Sequence, residues 1–324
     1  MGEFDLITRY FTRPARCAVL GVGDDCALLQ PAPGMQLAIS SDMLVQGRHF
    51  FADVDPYTLG HKALAVNLSD LAACGATPRA FTLALALPHI DKAWLQGFSS
   101  GLWALADQHG CELVGGDTTQ GPLTICITVL GEVPRGQALL RSGAKAGDDL
   151  YVSGTLGDAR LALDALLGNI SLSPEALAQA RPRLEQPTPR VALGQALRGV
   201  ATAAIDISDG LAGDLGHVLK ASGVGARIDT SIAITLIATS PIKPCGSGLF
   251  DAQKRLEVVL AGGDDYELAF TAPAAHRQAV EAASVASQTR VTRIGQIEQA
   301  PGLRLVDAHG HHVAGDFRSF DHFA

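Results

Sequence analysis

Apolar positions along the chain fall into short segments whose spacing switches repeatedly between the strand period and the helix period. Residues 3 to 13 have the pattern of a short helix that stops at Pro14. The turn Gly21-Val22-Gly23-Asp24-Asp25 leads into two segments that read as strands, Cys26 to Gln30 and Gln36 to Ser41. Asp55-Pro56 is a helix start, an N-cap acid followed by proline at the first helical position. Leu59, Ala63, Val66 and Leu71 carry that helix to a stop at Gly75. Phe81 to Leu87 reads as a strand buried on at least one face, and Asp91 to His109 as a helix closed by Gly110. Cys111 to Val114 is a short strand delivering Gly115-Gly116-Asp117, and Leu123 to Val133 is a longer one.

The second half opens with a strand over Leu150 to Ser153 and the turn Gly154-Thr155-Leu156-Gly157-Asp158, which starts a helix to about Leu167. Pro174 to Arg181 and Arg190 to Leu197 read as helices and Ala201 to Ser208 as a strand; Asp209-Gly210 begins a helix ending near Ser222-Gly223. Residues 230 to 252 show no readable pattern. Beyond them come a strand over Leu268 to Thr271, a helix over Ala274 to Ala286, and short strands at Val291 to Ile294 and Leu303 to Val306. Strands and helices are mixed without strict alternation, which predicts an α+β (mixed α/β) fold rather than a doubly wound sheet. The run from Pro134 to Asp149 holds glycines and basic residues with little apolar periodicity. It divides the chain into a domain over 1–136, a linker over 137–148 and a domain over 149–324, as its length of 324 residues favours.

Composition narrows the function. With 47% hydrophobic and 18% charged residues the chain is a folded globular protein with a large interior. Its formal net charge of -8 disfavours a nucleic-acid partner, yet leaves room for a phosphate substrate reached through cations. The six cysteines (Cys17, Cys26, Cys74, Cys111, Cys126 and Cys245) form no Cys-x-x-Cys pair and mostly lie in apolar segments, so buried thiols in a reducing compartment are expected. The stretch Met1-Gly2-Glu3-Phe4-Asp5 lacks the basic region and apolar core expected of a secretory signal, and no apolar run approaches the ~20 residues that span a bilayer. A cytoplasmic protein without a membrane partner is the expectation.

Acids recur where apolar segments end or begin: Asp24-Asp25, Asp42, Asp70, Asp117, Asp206 and Asp209, and Asp264-Asp265. A single acidic turn is commonplace; the recurrence is the signal. Carboxylates sharing a cleft repel, by about 4 kcal/mol for two charges ~4 Å apart at an effective dielectric near 20, so a cluster needs cations. Oxygen ligands select Mg²⁺ or Ca²⁺, and without an Asp-x-Asp-x-Asp-Gly calcium loop several Mg²⁺ ions are favoured. Ser40, Ser41, Thr118 and Ser208 add hydroxyls. Asp70 falls near the C-terminal end of its helix, where the dipole disfavours an anion and compensation is required. No lysine-bearing phosphate loop or Gly-x-Gly-x-x-Gly turn follows a strand, so ATP binding would lean on metal ions. Arg141 is a candidate phosphate partner through its planar fork, a solvated linker arginine being the alternative. His309 and Gly310-His311-His312 read as a solvated loop rather than a metal site.

Gly21-Val22-Gly23-Asp24-Asp25, Ile39-Ser40-Ser41-Asp42, the stretch Val66 to Ala76, Gly115-Gly116-Asp117-Thr118-Thr119, Arg141-Ser142-Gly143-Ala144, Ile205-Asp206-Ile207-Ser208-Asp209-Gly210-Leu211 and Gly262-Gly263-Asp264-Asp265-Tyr266-Glu267-Leu268 occur in that order. In these motifs, and in the tail Phe320-Asp321-His322-Phe323, the chain resembles the thiamine-monophosphate kinase family. That family shares a superfamily with aminoimidazole-ribonucleotide synthetase, selenophosphate synthetase and a hydrogenase maturation factor. The resemblance implies a synthetase-like fold, with an N-terminal α/β domain pairing across a homodimer, a C-terminal α+β domain and an ATP cleft between them. It implies direct transfer of the γ-phosphoryl of ATP to thiamine monophosphate, without a phospho-enzyme. Carried onto this sequence, Asp25, Asp42, Asp70, Asp117, Asp206 and Asp209 are Mg²⁺ ligands assisted by Ser40 and Ser41. Gly116, Asp117, Arg141 and Ser208 are nucleotide contacts, and His49, Asp264 and Phe320 lie on the substrate side. No residue is singled out as a general base, because the acceptor phosphate oxygen is already ionised at neutral pH. Asp264 stands where the family commonly has Glu, and Ser41 where it often has Thr. Two other functions are weighed: a selenophosphate synthetase, disfavoured because Cys17 lacks a glycine-rich loop, and a non-catalytic nucleotide or metal sensor.

Overall fold

The structure is a computed structural model and describes residues 2–239, 252–315, 317, 319 and 320. Cys245, most of the 230–252 stretch and the tail residues 321–323 lie outside the described residues. The chain divides into two compact units, Met1–Leu71 with Ala76–Ala138, and Ala72–Gly75 with Leu139–Ala324.

In the first unit, α1 (Glu3–Leu6) runs into a π-helical turn, Ile7–Phe11. Then come β1 (Met35–Val45), α2 (Pro56–Ala73), β2 (Thr77–Leu87), α3 (Lys92–His109), β3 (Glu112–Gln120) and β4 (Thr124–Pro134). The strands form one sheet in the order β1-β4-β2-β3, with β2 and β3 parallel and the other pairs antiparallel. Local chemistry sets the helix ends. Asp55 Oδ1 accepts the N–H of Tyr57 and Thr58, and Asp91 Oδ1 that of Ala93 and Trp94, while Gly110 (φ 59°) ends α3 in the left-handed conformation. On β2, Phe81, Leu83, Leu85 and Leu87 alternate into the core, and Leu64 and Leu68 of α2 and Phe98 and Leu102 of α3 are buried as well.

The second unit is built on a six-stranded sheet. Its elements are β5 (Asp149–Ser153), α4 (Asp158–Leu166), α5 (Pro174–Glu185), α6 (Val191–Ala196), β6 (Ala203–Ile207), α7 (Leu211–Ser222), β7 (Gly225–Asp229) and α8 (Thr230–Ala233). After these come α9 (Ala252–Ala261), β8 (Glu267–Ala272), α10 (Arg277–Ala286), β9 (Val291–Glu298) and β10 (Gly302–Val306). The order is β10-β7-β9-β5-β8-β6, with only β10–β7 parallel. The core lies where Val152, Ile205, Ile207, Leu215, Val218, Ile228, Val259 and Ile294 meet. The mixed α/β class expected from the sequence is the one observed.

Several local expectations are corrected. Cys26 to Gln30 is not a strand: Leu28 folds back on Leu20, donating to its carbonyl at 2.9 Å, because Gly23 (φ 124°) reverses the chain at once. β1 runs through Asp42 to Val45, and β3 through Gly115-Gly116-Asp117 to Gln120. In both, pairing with a neighbouring strand carries polar residues along the ladder, so these acids lie inside strands rather than at their ends. β7 and α9 have no counterpart in the sequence expectations. Cys17 and Cys26 are exposed, Cys74 and Cys126 half-buried, and only Cys111 of the described cysteines is buried.

Candidate functional site

In the N-terminal unit the expected site residues form two groups on opposite edges of one sheet. Alternation along the edge strand β1 puts Ser40 and Asp42 on the same face, with α2 lying beside it. Ser40 Oγ donates to Asp70 Oδ2 at 2.5 Å, and the Asp42 N–H donates to Asn67 Oδ1 at 3.0 Å. Asn67 Nδ2 in turn donates to Ala63 O at 3.0 Å, which fixes the amide. The compensation expected for Asp70 at the end of α2 therefore includes a hydroxyl from β1. Ser41 points to the other face, where its Oγ meets Thr128 Oγ1 at 3.0 Å and Ile127 O at 3.1 Å, so it does not join Ser40 and Asp42. His49, just past β1, accepts the Val45 N–H at Nδ1 (3.0 Å), which leaves the ring proton on Nε2.

The second group sits on β3. Asp24, Asp25, Gly116 and Asp117 line a cavity of about 560 Å³, closed on one side by Phe4, Ile7 and Phe11 of the N-terminal turn. Gly116 is at φ 148°, and a Cβ there would fall on the carbonyl of Leu83. Asp24 Oδ1 accepts the Asp25 N–H at 2.8 Å, tying the first acid to its own loop. Asp42, Ile127, Leu83 and Gly116 lie in one lateral row across β1, β4, β2 and β3. Three strand spacings, about 14 Å, thus separate the two groups. Among the described residues no three His, Cys, Asp or Glu side chains converge to hold a metal ion. Within this unit Asp70 stands with Ser40 and Asp42 at one edge of the sheet, and Asp24, Asp25 and Asp117 stand around the cavity at the other.

In the C-terminal unit the expected residues do converge, with one exception. Asp206 is the penultimate residue of β6, followed by Ser208-Asp209-Gly210 and the start of α7. The loop before β8 lies alongside: Asp264 N donates to Ser208 O and Tyr266 N to Ile207 O, both at 2.8 Å. Asp264 (φ 64°) and Tyr266 (φ 50°) occupy the left-handed region, a strained conformation for residues with side chains. Phe320 N donates to Asp209 O at 3.1 Å, and the residue is 47% exposed. Next to it, Ser319 Oγ accepts the Gly213 N–H at 2.8 Å. Arg141 is the exception. Its carbonyl accepts from Ser222 Oγ at 3.2 Å, at the far end of α7, and a 12-residue helix puts Ser208 about 18 Å away.

Three acids that carry this geometry were not among the site residues expected from the sequence. Asp214 Oδ2 accepts the N–H groups of Ser208, Asp209 and Gly210, each at 3.1 Å. Burial raises its carboxyl to about 6, with the Asp209 charge adding and the three N–H donors opposing. Asp265 is fully buried, accepts the Gly157 N–H at 2.9 and 3.1 Å, and is pushed well above the usual carboxylate range by burial. Glu267, also fully buried, holds Arg183 at 2.6 Å and Arg190 and Ser153 beside it. An acid in the first turn of a helix is a recognised N-terminal signal, so Asp214 was legible in principle. Asp265 and Glu267 were not, because their partners are remote in sequence.

Comparison with known proteins gives a consistent picture. The family described as AIR synthase related protein, N-terminal domain, matches residues 23–133, and its C-terminal domain matches residues 145–308. A protein named thiamine-monophosphate kinase from Salmonella typhimurium is 47% identical over 328 aligned positions, covering 100% of this chain and 98% of the relative. The crystal structure of thiamine-monophosphate kinase from Stenotrophomonas maltophilia K279a superposes with a TM-score of 0.80 at 43% identity, over 93% of this chain and 94% of that one. A structure described as AaThiL complexed with AMPPCP and TMP has a TM-score of 0.74 at 28% identity, over 91% of this chain and 89% of that one. Both domains and the full length agree, and the chain belongs to the thiamine-monophosphate kinase family.

Proposed function

We propose that this protein transfers the γ-phosphoryl of ATP to thiamine monophosphate, giving thiamine diphosphate and ADP. Full-length likeness to relatives bearing that name, and a structural neighbour complexed with AMPPCP and TMP, support the activity. The observation on this chain that carries it is the gathering of Asp206, Ser208, Asp209, Asp264 and Phe320 around the start of α7. A helix N-terminus ordinarily offers N–H groups to a phosphate. Here Asp214 already fills that slot, so phosphate contact at this loop falls to cations held by Asp206 and Asp209.

The ligand sets fit Mg²⁺. Each is made of carboxylate oxygens, joined in one set by the Ser40 hydroxyl, and Mg²⁺ takes one or two carboxylates, waters and substrate phosphates rather than a closed protein cage. We assign Asp42 and Asp70 with Ser40 to one set, Asp25 and Asp117 to a second, and Asp206 and Asp209 to a third. Bound Mg²⁺ supplies charge neutralisation and orientation for the transferring group. The protein's own part is positioning. Gly116, lacking a side chain, lets a ligand approach the β3 backbone, and Ser208 offers a hydroxyl to the nucleotide. His49 presents Nε2–H to the substrate phosphate, Asp264 a carboxylate to the organic cation, and Phe320 a half-exposed ring for stacking. Arg141 remains a nucleotide contact on the strength of the resemblance. The acceptor is a phosphate oxygen whose second ionisation lies near pH ~6, so no general base is required.

We further propose a homodimer, supported by an open sheet face on which Leu37, Ile39 and Met43 are 44%, 62% and 55% exposed. No helix among the described residues is long and apolar enough to cross a membrane. The free thiols of the five described cysteines favour a reducing, cytoplasmic setting. The test is Mg²⁺-dependent ADP release with thiamine monophosphate and a panel of other monophosphates, for the wild type and Asp42→Asn. Release specific to thiamine monophosphate is expected, with a loss of about 100-fold in the variant. No stimulation by thiamine monophosphate rejects the activity, and full turnover in the variant rejects the metal assignment.

A further inference from the structure

Where β6 hands over to α7, the chain turns three consecutive N–H groups, those of Ser208, Asp209 and Gly210, toward one point. Successive N–H groups aimed inward form a nest for an anion. The anion is internal: one oxygen of Asp214 takes all three at 3.1 Å, and the side chain is buried. The Asp214 backbone is tied to the same place, since its N–H donates to Gly210 O at 3.0 Å. The outward groups of this loop carry its neighbours. Ser208 O holds the Asp264 N–H and Asp209 O holds the Phe320 N–H, at 2.8 and 3.1 Å.

We infer that Asp214 is a positioning residue for phosphoryl transfer: it clamps the Ser208–Gly210 loop and so sets the placement of Ser208, Asp209, Asp264 and Phe320 without touching substrate. The inference rests on the function proposed above for those residues. A carboxylate needed only to cap α7 would affect stability alone. One that fixes the loop must also govern how tightly nucleotide and metal are held, because a loop free to rearrange loses the preorganisation of its outward groups.

The experiment compares the full-length wild type with Asp214→Asn and Asp214→Ala. Asp91→Asn serves as a control that alters an acid capping α3 in the other compact unit. Amide hydrogen exchange over residues 206–211 is read without ligand. Binding of a non-hydrolysable ATP analogue with Mg²⁺ is read by calorimetry, and KM and kcat by ADP release. The expected result is exchange in that segment at least ~10-fold faster in Asp214→Ala, with analogue affinity and KM for ATP worsened about 10-fold or more. Asp214→Asn, which keeps one acceptor oxygen, is expected to fall between Ala and wild type, and the control to match wild type. Should Asp214→Ala not fold, Asp214→Asn carries the comparison through its weaker but same-signed shifts. Faster exchange with unchanged analogue affinity and KM makes Asp214 a simple cap and overturns the inference, as does unchanged exchange. A wild type that binds the analogue but does not phosphorylate thiamine monophosphate defeats the proposed function instead, while exchange and binding still decide the role of Asp214.

Discussion

At the scale of single residues, acids that look alike in sequence have three distinct jobs. Asp117 is exposed on the edge strand β3, while Asp42 on β1 and Asp209 in the loop before α7 are half-buried. Asp24 closes its own turn by accepting the Asp25 N–H. Asp214, Asp265 and Glu267 are buried and hold the frame through backbone N–H groups or arginines. Burial separates these classes, and burial depends on partners far along the chain. Glycines divide in the same way. Gly116 combines a left-handed φ of 148° with a Cβ position on Leu83 O, whereas a Cβ on Gly115 would meet nothing closer than Thr82 Cγ2 at 4.0 Å. Gly116→Ala is therefore expected to cost about 3 kcal/mol and Gly115→Ala well under 1 kcal/mol, as urea unfolding would measure. Equal effects would refute the argument.

At the scale of elements, what could be read depended on whether local chemistry sets the ends. α2 and α3 were legible because Asp55 and Asp91 cap them and Gly110 closes α3. Replacing Asp91 by Ala should lower stability by about 1 kcal/mol with Mg²⁺ and nucleotide binding unchanged, seen as a shifted urea midpoint at constant slope. A change in binding instead would mean that α3 does more than pack. The ends of β1 and β3 were misjudged because ladders with β4 and β2 extend them through polar residues. β7 was missed for a related reason: its five residues, Gly225–Asp229, mix small, charged and apolar types and become a strand only between β9 and β10.

At the scale of the whole molecule, long-range ion pairs tie elements of the C-terminal unit together. The Asp149 side chain on β5 is fully buried and bonded by Arg277 of α10 at 2.6 Å and by Arg293 of β9 at 3.0 Å. The hydrogen bond from Arg277, with help from Arg293 and against burial, holds this carboxyl below its ordinary value of 3.8. A depressed carboxylate contributes stability that is present above 3.8 and is lost as pH falls through its lower, folded-state value. Asp149→Ala is accordingly expected to lower the unfolding temperature at neutral pH, because Arg277 and Arg293 lose their shared buried partner. The gap from wild type should narrow as the pH drops below 3.8 toward the folded-state value, as thermal unfolding across an acid series would show. A gap independent of pH would rule out the ion pair as its source.

The sequence by itself determined the mixed α/β class, the capped helices, the family and the list of candidate site residues, because each is written in local spacing or in ordered motifs. It also marked a break in apolar periodicity between Pro134 and Asp149. Only the tertiary structure decided which candidates meet. Strand order put Asp42 and Gly116 on opposite edges of one sheet, and side-chain alternation turned Ser41 away from Ser40. The length of α7 set Arg141 apart from Ser208. Proximity across a sheet or along a helix comes from pairing and packing between distant segments, which motif order does not encode.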